Sequence, residues 1–217
     1  MDAVRRIAPR RRVLAPDLPG HGQSDRWHPA DDVSIAMYRD AVGTVCARLK
    51  IPRVILVGHS MGAQVALSAA ATWPERVAGL VLVASGARLP VSPDVYRHIA
   101  SADWAEWLAQ LSFSPATPRE IVERWAGISQ TAEPEITRAD FRAVERFDGR
   151  DLLGRVRAPA LIVGGEDDLL APPQLAKELG RIAGSTVVLL PQAGHALALE
   201  RPDAFHDTLD PFLAALS

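Results

Sequence analysis

One cysteine, Cys46, stands among 217 residues, so no disulfide closes within the chain and a packed core must carry the fold. A thiol alone in a stretch of helical period is expected to be a small buried side chain. Long apolar runs are missing too. The longest, Val77 to Ala84, is less than half of the roughly 20 residues that a membrane span needs. The first residues, Met1 to Ile7, hold no secretory h-region, so the expectation is a cytoplasmic protein with no membrane partner. Charge of one sign is also lacking. Lys and Arg number 24 against 26 Asp and Glu, a net charge of −2, too little to attract nucleic acid at long range. The arginines Arg5, Arg6, Arg10, Arg11 and Arg12 read as a solvated helix end and strand entry. No His, Cys, Asp or Glu set has metal-ligand spacing, and no glycine-rich loop resembles a phosphate cradle. Neither a metal nor a cofactor is expected.

What remains is a composition of 48% hydrophobic and 23% charged residues, that of a globular domain. At this length about 70% of the unfolded surface is buried on folding, and no staple is required.

Short apolar runs alternate with longer helical patterns, the signature of a mostly parallel, doubly wound α/β sheet. Val13-Leu14-Ala15 reads as a strand, stopped by Pro16 and the turn-rich Asp17 to Gly22. Ile35 to Leu49 has helical period. Val54-Ile55-Leu56-Val57 is a continuous apolar run of the kind found in a doubly covered central strand. A small-residue helix follows from Met61 to Thr72, then a strand from Val77 to Ala84. From Arg88 to Arg150 no strand is convincing, while Trp104, Trp107, Leu108 and Leu111 fall at i, i+3, i+4, i+7. That stretch reads as a helical cap. Strand logic resumes at Ala160 to Val163, then a helix from Pro173 to Ile182, a strand from Thr186 to Leu190 and a final helix from Pro202 to Leu216. The division expected is core 1–87, cap 88–150 and core 151–217.

Gly58-His59-Ser60-Met61-Gly62 lies between a strand and a helix. On so sharp a turn the serine takes a strained backbone that lifts its Oγ above the sheet, and the positions two before and two after must be tiny. Its neighbour Met61 offers a helix-terminal N–H to an oxyanion. A serine hydroxyl needs a base, and the base needs an acid to hold its tautomer. Gly164-Gly165-Glu166-Asp167-Asp168 and Gly194-His195 follow later strands, at the edge where open α/β sheets bind ligands. The order Ser…Asp…His suits this fold. Ser60 as an ordinary helix cap would instead spend its hydroxyl on a backbone N–H. His59 and His21 read as packing and loop hydrogen bonds, and His28, His98 and His206 as surface residues.

Asp17-Leu18-Pro19-Gly20-His21-Gly22-Gln23-Ser24-Asp25, the Ser60 pentapeptide, Gly165 to Pro172, and Gly194-His195 through Glu200-Arg201-Pro202 closely resemble the α/β-hydrolase family. The resemblance covers nearly the whole chain outside the cap. It implies a catalytic triad of Ser60, Asp168 and His195. The family's G-x-x-D-x-x-x-P spacing, run from Gly165 to Pro172, falls on Asp168, with Asp167 as the alternative.

The resemblance also exposes an absence. No His-Gly oxyanion loop precedes Asp17, and Asp2 to Ile7 looks like the helix that follows that loop. Roughly 30–45 residues of strands and turns are missing by typical element lengths. Met1 is then a misassigned start, or the chain is a shortened form whose oxyanion hole keeps the Met61 N–H alone, with weak or no activity. The first strand pairs directly with the Val54 strand, or an edge stays open to a partner strand. A homo-oligomer through that open region is one expected partner, a small-molecule acyl substrate the other. The function expected is hydrolysis of a carboxylic ester through an acyl-enzyme, over a pocket built from Trp104, Trp107, Phe113 and Trp125, the alternative for Trp104 and Trp107 being that they only hold the cap helix to the body. Acyl transfer, perhydrolysis or C–C cleavage by the same triad, and a non-catalytic binding protein on this scaffold, stay open.

Overall fold

The computed structural model describes residues 2–26, 33–129 and 133–216; His28 lies outside them. Helix α1 (Asp2–Ile7) leads into an irregular segment, and α2 (Ile35–Arg48) follows, its N-cap Ser34 accepting from Met37 N. Then come β1 (Val54–His59), α3 (Met61–Thr72) and β2 (Val77–Val83). Between β2 and the next strand lie α4 (Pro93–His98), α5 (Trp104–Ser112), α6 (Arg119–Ser129) and α7 (Pro134–Arg146), and then a 3₁₀ turn Arg150–Arg155. The chain closes with β3 (Ala160–Gly165), α8 (Pro173–Leu179), β4 (Ser185–Leu190), α9 (Leu197–Glu200) and α10 (Pro202–Ala214).

The four strands form one parallel sheet in the order β1-β2-β3-β4. Its side chains alternate between two cores, as the period-2 pleat requires. Leu80, Leu82, Ala160 and Ile162 face α3 and α8, meeting Ala66, Leu67, Ala176 and Leu179. Val81, Val83, Leu161 and Val163 face α10, meeting Phe205, Leu209 and Leu213. Both faces are covered, which is why β2 and β3 read as unbroken apolar strings.

The front of the sheet departs from expectation. Residues 13–15 do not form a strand, and Leu14 is 44% exposed. Extended backbone becomes a strand through a hydrogen-bonded neighbour, and among the described residues none pairs there. Consequently β1, expected to be central, is an edge strand of the described sheet, with Val57 52% exposed.

Smaller corrections follow from packing. The arginines are largely exposed, as expected, and three of them also reach α10: Arg6 and Arg10 pair with Asp210, and Arg11 donates to Leu213 O. His206 is buried beside Asp210, and His98 stacks on Trp107 with ring centroids 4.4 Å apart. Cys46 is half-buried, in a small apolar crevice shared with Trp73. No described helix is long and apolar enough to cross a membrane.

Candidate active site

All strands being parallel, their C-terminal ends share one edge, and three sequence motifs meet there. Ser60 follows β1 with φ 53 and ψ −118, a left-handed conformation that costs a non-glycine residue on the order of 1–3 kcal/mol. The turn is held from two sides. Ser60 N donates to Val83 O (2.9 Å), and Ser85 Oγ donates to Ser60 O (2.9 Å). No capping bond is made by the Ser60 hydroxyl. Gly58 is indispensable, since a Cβ there would lie 2.2 Å from Gly62 O. Gly62 is not: among the described residues, a Cβ at that position meets nothing within 4 Å. The expectation that both flanking glycines answer a steric need holds for the first alone, because the close approach is made by the Gly62 carbonyl.

Beyond β3, Asp168 is 2% exposed and His195, beyond β4, 8%. His195 Nδ1 lies 2.9 Å from Asp168 Oδ2. The other carboxylate oxygen, Oδ1, accepts from Leu170 N (2.9 Å) and Ala171 N (2.7 Å), so the carboxylate cannot rotate away. Asp167, the alternative in sequence, points elsewhere and accepts from Ser114 Oγ at 2.6 Å. The loops of β3 and β4 pack backbone to backbone: a Cβ on Gly165 would lie 2.3 Å from Ala193 O.

His59 joins the two halves. Its ring centroid is 4.8 Å from that of His195, and its Nε2–H donates to His195 O at 2.8 Å. Desolvation and then the neighbouring His195 lower its pKa. His59 is exposed at the sheet edge, which softens the desolvation, yet both causes favour the neutral donor form.

The other motif residues serve the front loop and the cap. Asp17 accepts from Gln23 N (3.1 Å), and a Cβ on Gly22 would overlap its carboxylate. His21 Nε2 lies 2.9 Å from Asp140 Oδ2 on α7, and Tyr38 OH donates to Asp140 Oδ1 at 2.5 Å. Arg26 pairs with Glu133. The His21 pKa is raised, chiefly by the bond to Asp140 and against partial burial. Of the four cap aromatics, Trp104 stacks on Trp107 (5.8 Å) and meets Phe141 edge-on, while Phe113 meets Trp125 edge-on at 5.3 Å.

Two residues near the site carry more than the sequence suggested. Glu200 is buried, as is Ser114, and both touch loops of the site. The signal for Glu200 is a carboxylate in the apolar stretch Leu197-Ala198-Leu199-Glu200. Ser114 has no such signal, as a serine between helices has no pattern.

Comparison with known proteins agrees with this geometry. The family model described as the alpha/beta hydrolase family matches residues 2–208. A pimeloyl-[acyl-carrier protein] methyl ester esterase of Neisseria meningitidis is 32% identical over 210 residues, covering 89% of this chain and 79% of the relative. Among solved structures, a thermophilic esterase of Thermogutta terrifontis superposes with a TM-score of 0.87 at 26% identity, covering 98% of this chain and 83% of its own. The enol-lactonase of Burkholderia xenovorans gives 0.86 at 29%, covering 97% and 84%. A parallel sheet wrapped by helices, a serine at a strained strand-to-helix turn and these relatives agree: the chain belongs to the alpha/beta hydrolase family, with ester hydrolases among its relatives.

Proposed function

We propose that the chain hydrolyses carboxylic esters through an acyl-enzyme on Ser60. The observation that carries the reading is the buried His195–Asp168 pair at 2.9 Å, on the same sheet edge as a serine whose strained backbone frees its hydroxyl. Ser60 Oγ attacks the ester carbonyl while its proton passes to His195 Nε2. Asp168 holds the Nδ1 proton, so that Nε2 is the basic nitrogen. Met61 N–H, in the first turn of α3 where helix donors lack partners, stabilises the oxyanion. Collapse of the tetrahedral intermediate breaks the C–O bond, and the alcohol leaves with the proton from His195. Water then attacks the acyl-enzyme with His195 again as base, releasing the acid and restoring Ser60.

The substrate is a small acyl ester, its acyl chain lying against Phe113 and Trp125. That pair supports the reading because Ser112 and Ser114, on either side of Phe113, are bonded to the loops carrying His195 and Asp168. Trp104 packs instead against Trp107 and Phe141.

Intact mass after treatment with a fluorophosphonate tests the mechanism. Labelling of the wild type and not of Ser60→Ala is the expected result, accompanied by turnover of short p-nitrophenyl esters. A folded wild type that takes no label removes the reading.

A further inference from the structure

The cap is fastened to the site through residues 112–117, the last residue of α5 and the linker that follows it, hereafter the linker. Its contacts fall on both neighbours of His195 and on the neighbour of Asp168. Ala196 N donates to Ser112 O at 3.0 Å. Ser114 Oγ donates to Asp167 Oδ2 at 2.6 Å. A Cβ on Gly194 would lie 2.7 Å from Ser112 O and 2.9 Å from Ser114 N, so linker and His195 loop touch backbone to backbone.

Glu200 spans this junction. Its Oε1 accepts from Gly194 N (2.9 Å), on the core side. Its Oε2 accepts from Ser114 N (2.8 Å) and Thr117 Oγ1 (2.5 Å), on the cap side. All three donors are neutral, and Glu200 is 9% exposed. A buried carboxylate without a cation is costly unless its hydrogen bonds are well made. Here they join two segments 86 residues apart in the chain.

Building on the acyl-enzyme reading, we propose that Glu200 is a positioning residue that makes the placement of His195 depend on the seating of the cap linker. With the linker docked, the carboxylate fixes the Gly194 N–H and hence the backbone that carries the imidazole. Lifting the linker frees one carboxylate oxygen and the Ser114 bond to Asp167, which loosens the loops of His195 and Asp168 together. Glu200 touches no reacting atom; it acts through Gly194.

The test compares wild type with Glu200→Gln, which keeps the volume but replaces one acceptor oxygen with an amide nitrogen that cannot accept. Expected is a fall in kcat of about 10- to 100-fold, the scale of a misplacement near 1 Å. KM for a small ester should stay within about threefold of wild type, the kcat-specific loss of a group that acts on the reacting geometry. The fluorophosphonate labelling rate should drop with kcat. The downfield proton resonance of the His195–Asp168 bond, sharp in wild type, should broaden or vanish. A folded Glu200→Gln with an unchanged resonance and a labelling rate near that of wild type overturns the proposal. Should Glu200→Gln fail to fold, the double variant Ser114→Ala/Thr117→Val leaves the carboxylate and Gly194 N–H in place. Its labelling rate must fall severalfold, and a rate equal to wild type overturns the proposal. The resonance also separates the two claims. An unlabelled wild type removes the hydrolase reading, while the resonance still reports whether Glu200 holds His195.

Discussion

Strands β1 and β3 are spelled almost alike, Val-Ile-Leu-Val-Gly-His and Ala-Leu-Ile-Val-Gly-Gly, and they sit in opposite surroundings. Every residue of β3 is buried, Val163 completely. On β1 the buried residue is Gly58, and Val57 is 52% exposed. An apolar string reports that layers cover a strand above and below. Whether a strand lies beside it is a backbone matter that side chains do not encode. The candidate site inherits the contrast in part: Asp168 follows the buried β3, whereas Ser60 and His195 follow β1 and β4, the two edges of the described sheet.

The sharpest way to probe the buried side is Asp168→Asn. Oδ1 is held as an acceptor by Leu170 N and Ala171 N, so the amide nitrogen must face His195. Nδ1 then becomes the acceptor and the proton moves to Nε2, where it blocks the base. A loss on the order of 10⁴ in kcat with an unchanged fold is expected, read by steady-state kinetics beside circular dichroism.

On the exposed side the elbow gives the next largest effect. Gly58→Ala drives a Cβ against Gly62 O and should cost roughly 3 kcal/mol or prevent folding. Gly62→Ala meets open space on a helix and should gain about 0.5–1 kcal/mol. Urea melts of the two variants decide it, and equal destabilisation would contradict the described turn.

A single substitution made on both strands tests the contrast directly. Val163→Thr buries a hydroxyl and should cost about 1–3 kcal/mol, whereas Val57→Thr should stay within about 0.5 kcal/mol. Comparable losses would mean that β1 is covered in solution.

The smallest effect concerns the cap's attachment near the front loop. The His21 pKa is raised by Asp140, with Tyr38 on the other carboxylate oxygen. A raised pKa contributes stability fully present below about pH 6.5, the unperturbed value, and lost as pH rises through the folded value. The melting temperature of wild type minus that of His21→Ala should therefore shrink between about pH 6 and pH 8. The difference will be modest, because the His21 side chain is 37% exposed and water screens the pair.

Much of this architecture was legible in the residues. The helix from Met61 to Thr72 and the strands at Val77 and Ala160 follow from run length and small-residue patterning. The sharp serine turn follows from glycine on either side of it, although one of those glycines proves free of steric need. Choosing between Asp167 and Asp168 required the family's spacing, since neighbouring carboxylates are alike in sequence and differ in which way the backbone turns them. Residues 13–15 misled because strand identity depends on a neighbour. Glu200 with Ser114, and His21 with Asp140, were out of reach for another reason. Each pair is a contact between distant segments, created by the docking of cap on core, and no local pattern announces it.

The backbone contact between Gly194 and residues 112–114 also bears on how such proteins recombine. A crossover that exchanges residues 88–150 as a cassette would bring in a foreign linker to lie against a histidine loop shaped for the old one. Chimeras that keep 112–117 with the recipient core, and trade the helices around it, should inherit new acyl preferences without losing their chemistry. In heredity, if not in outline, those six residues travel with the core.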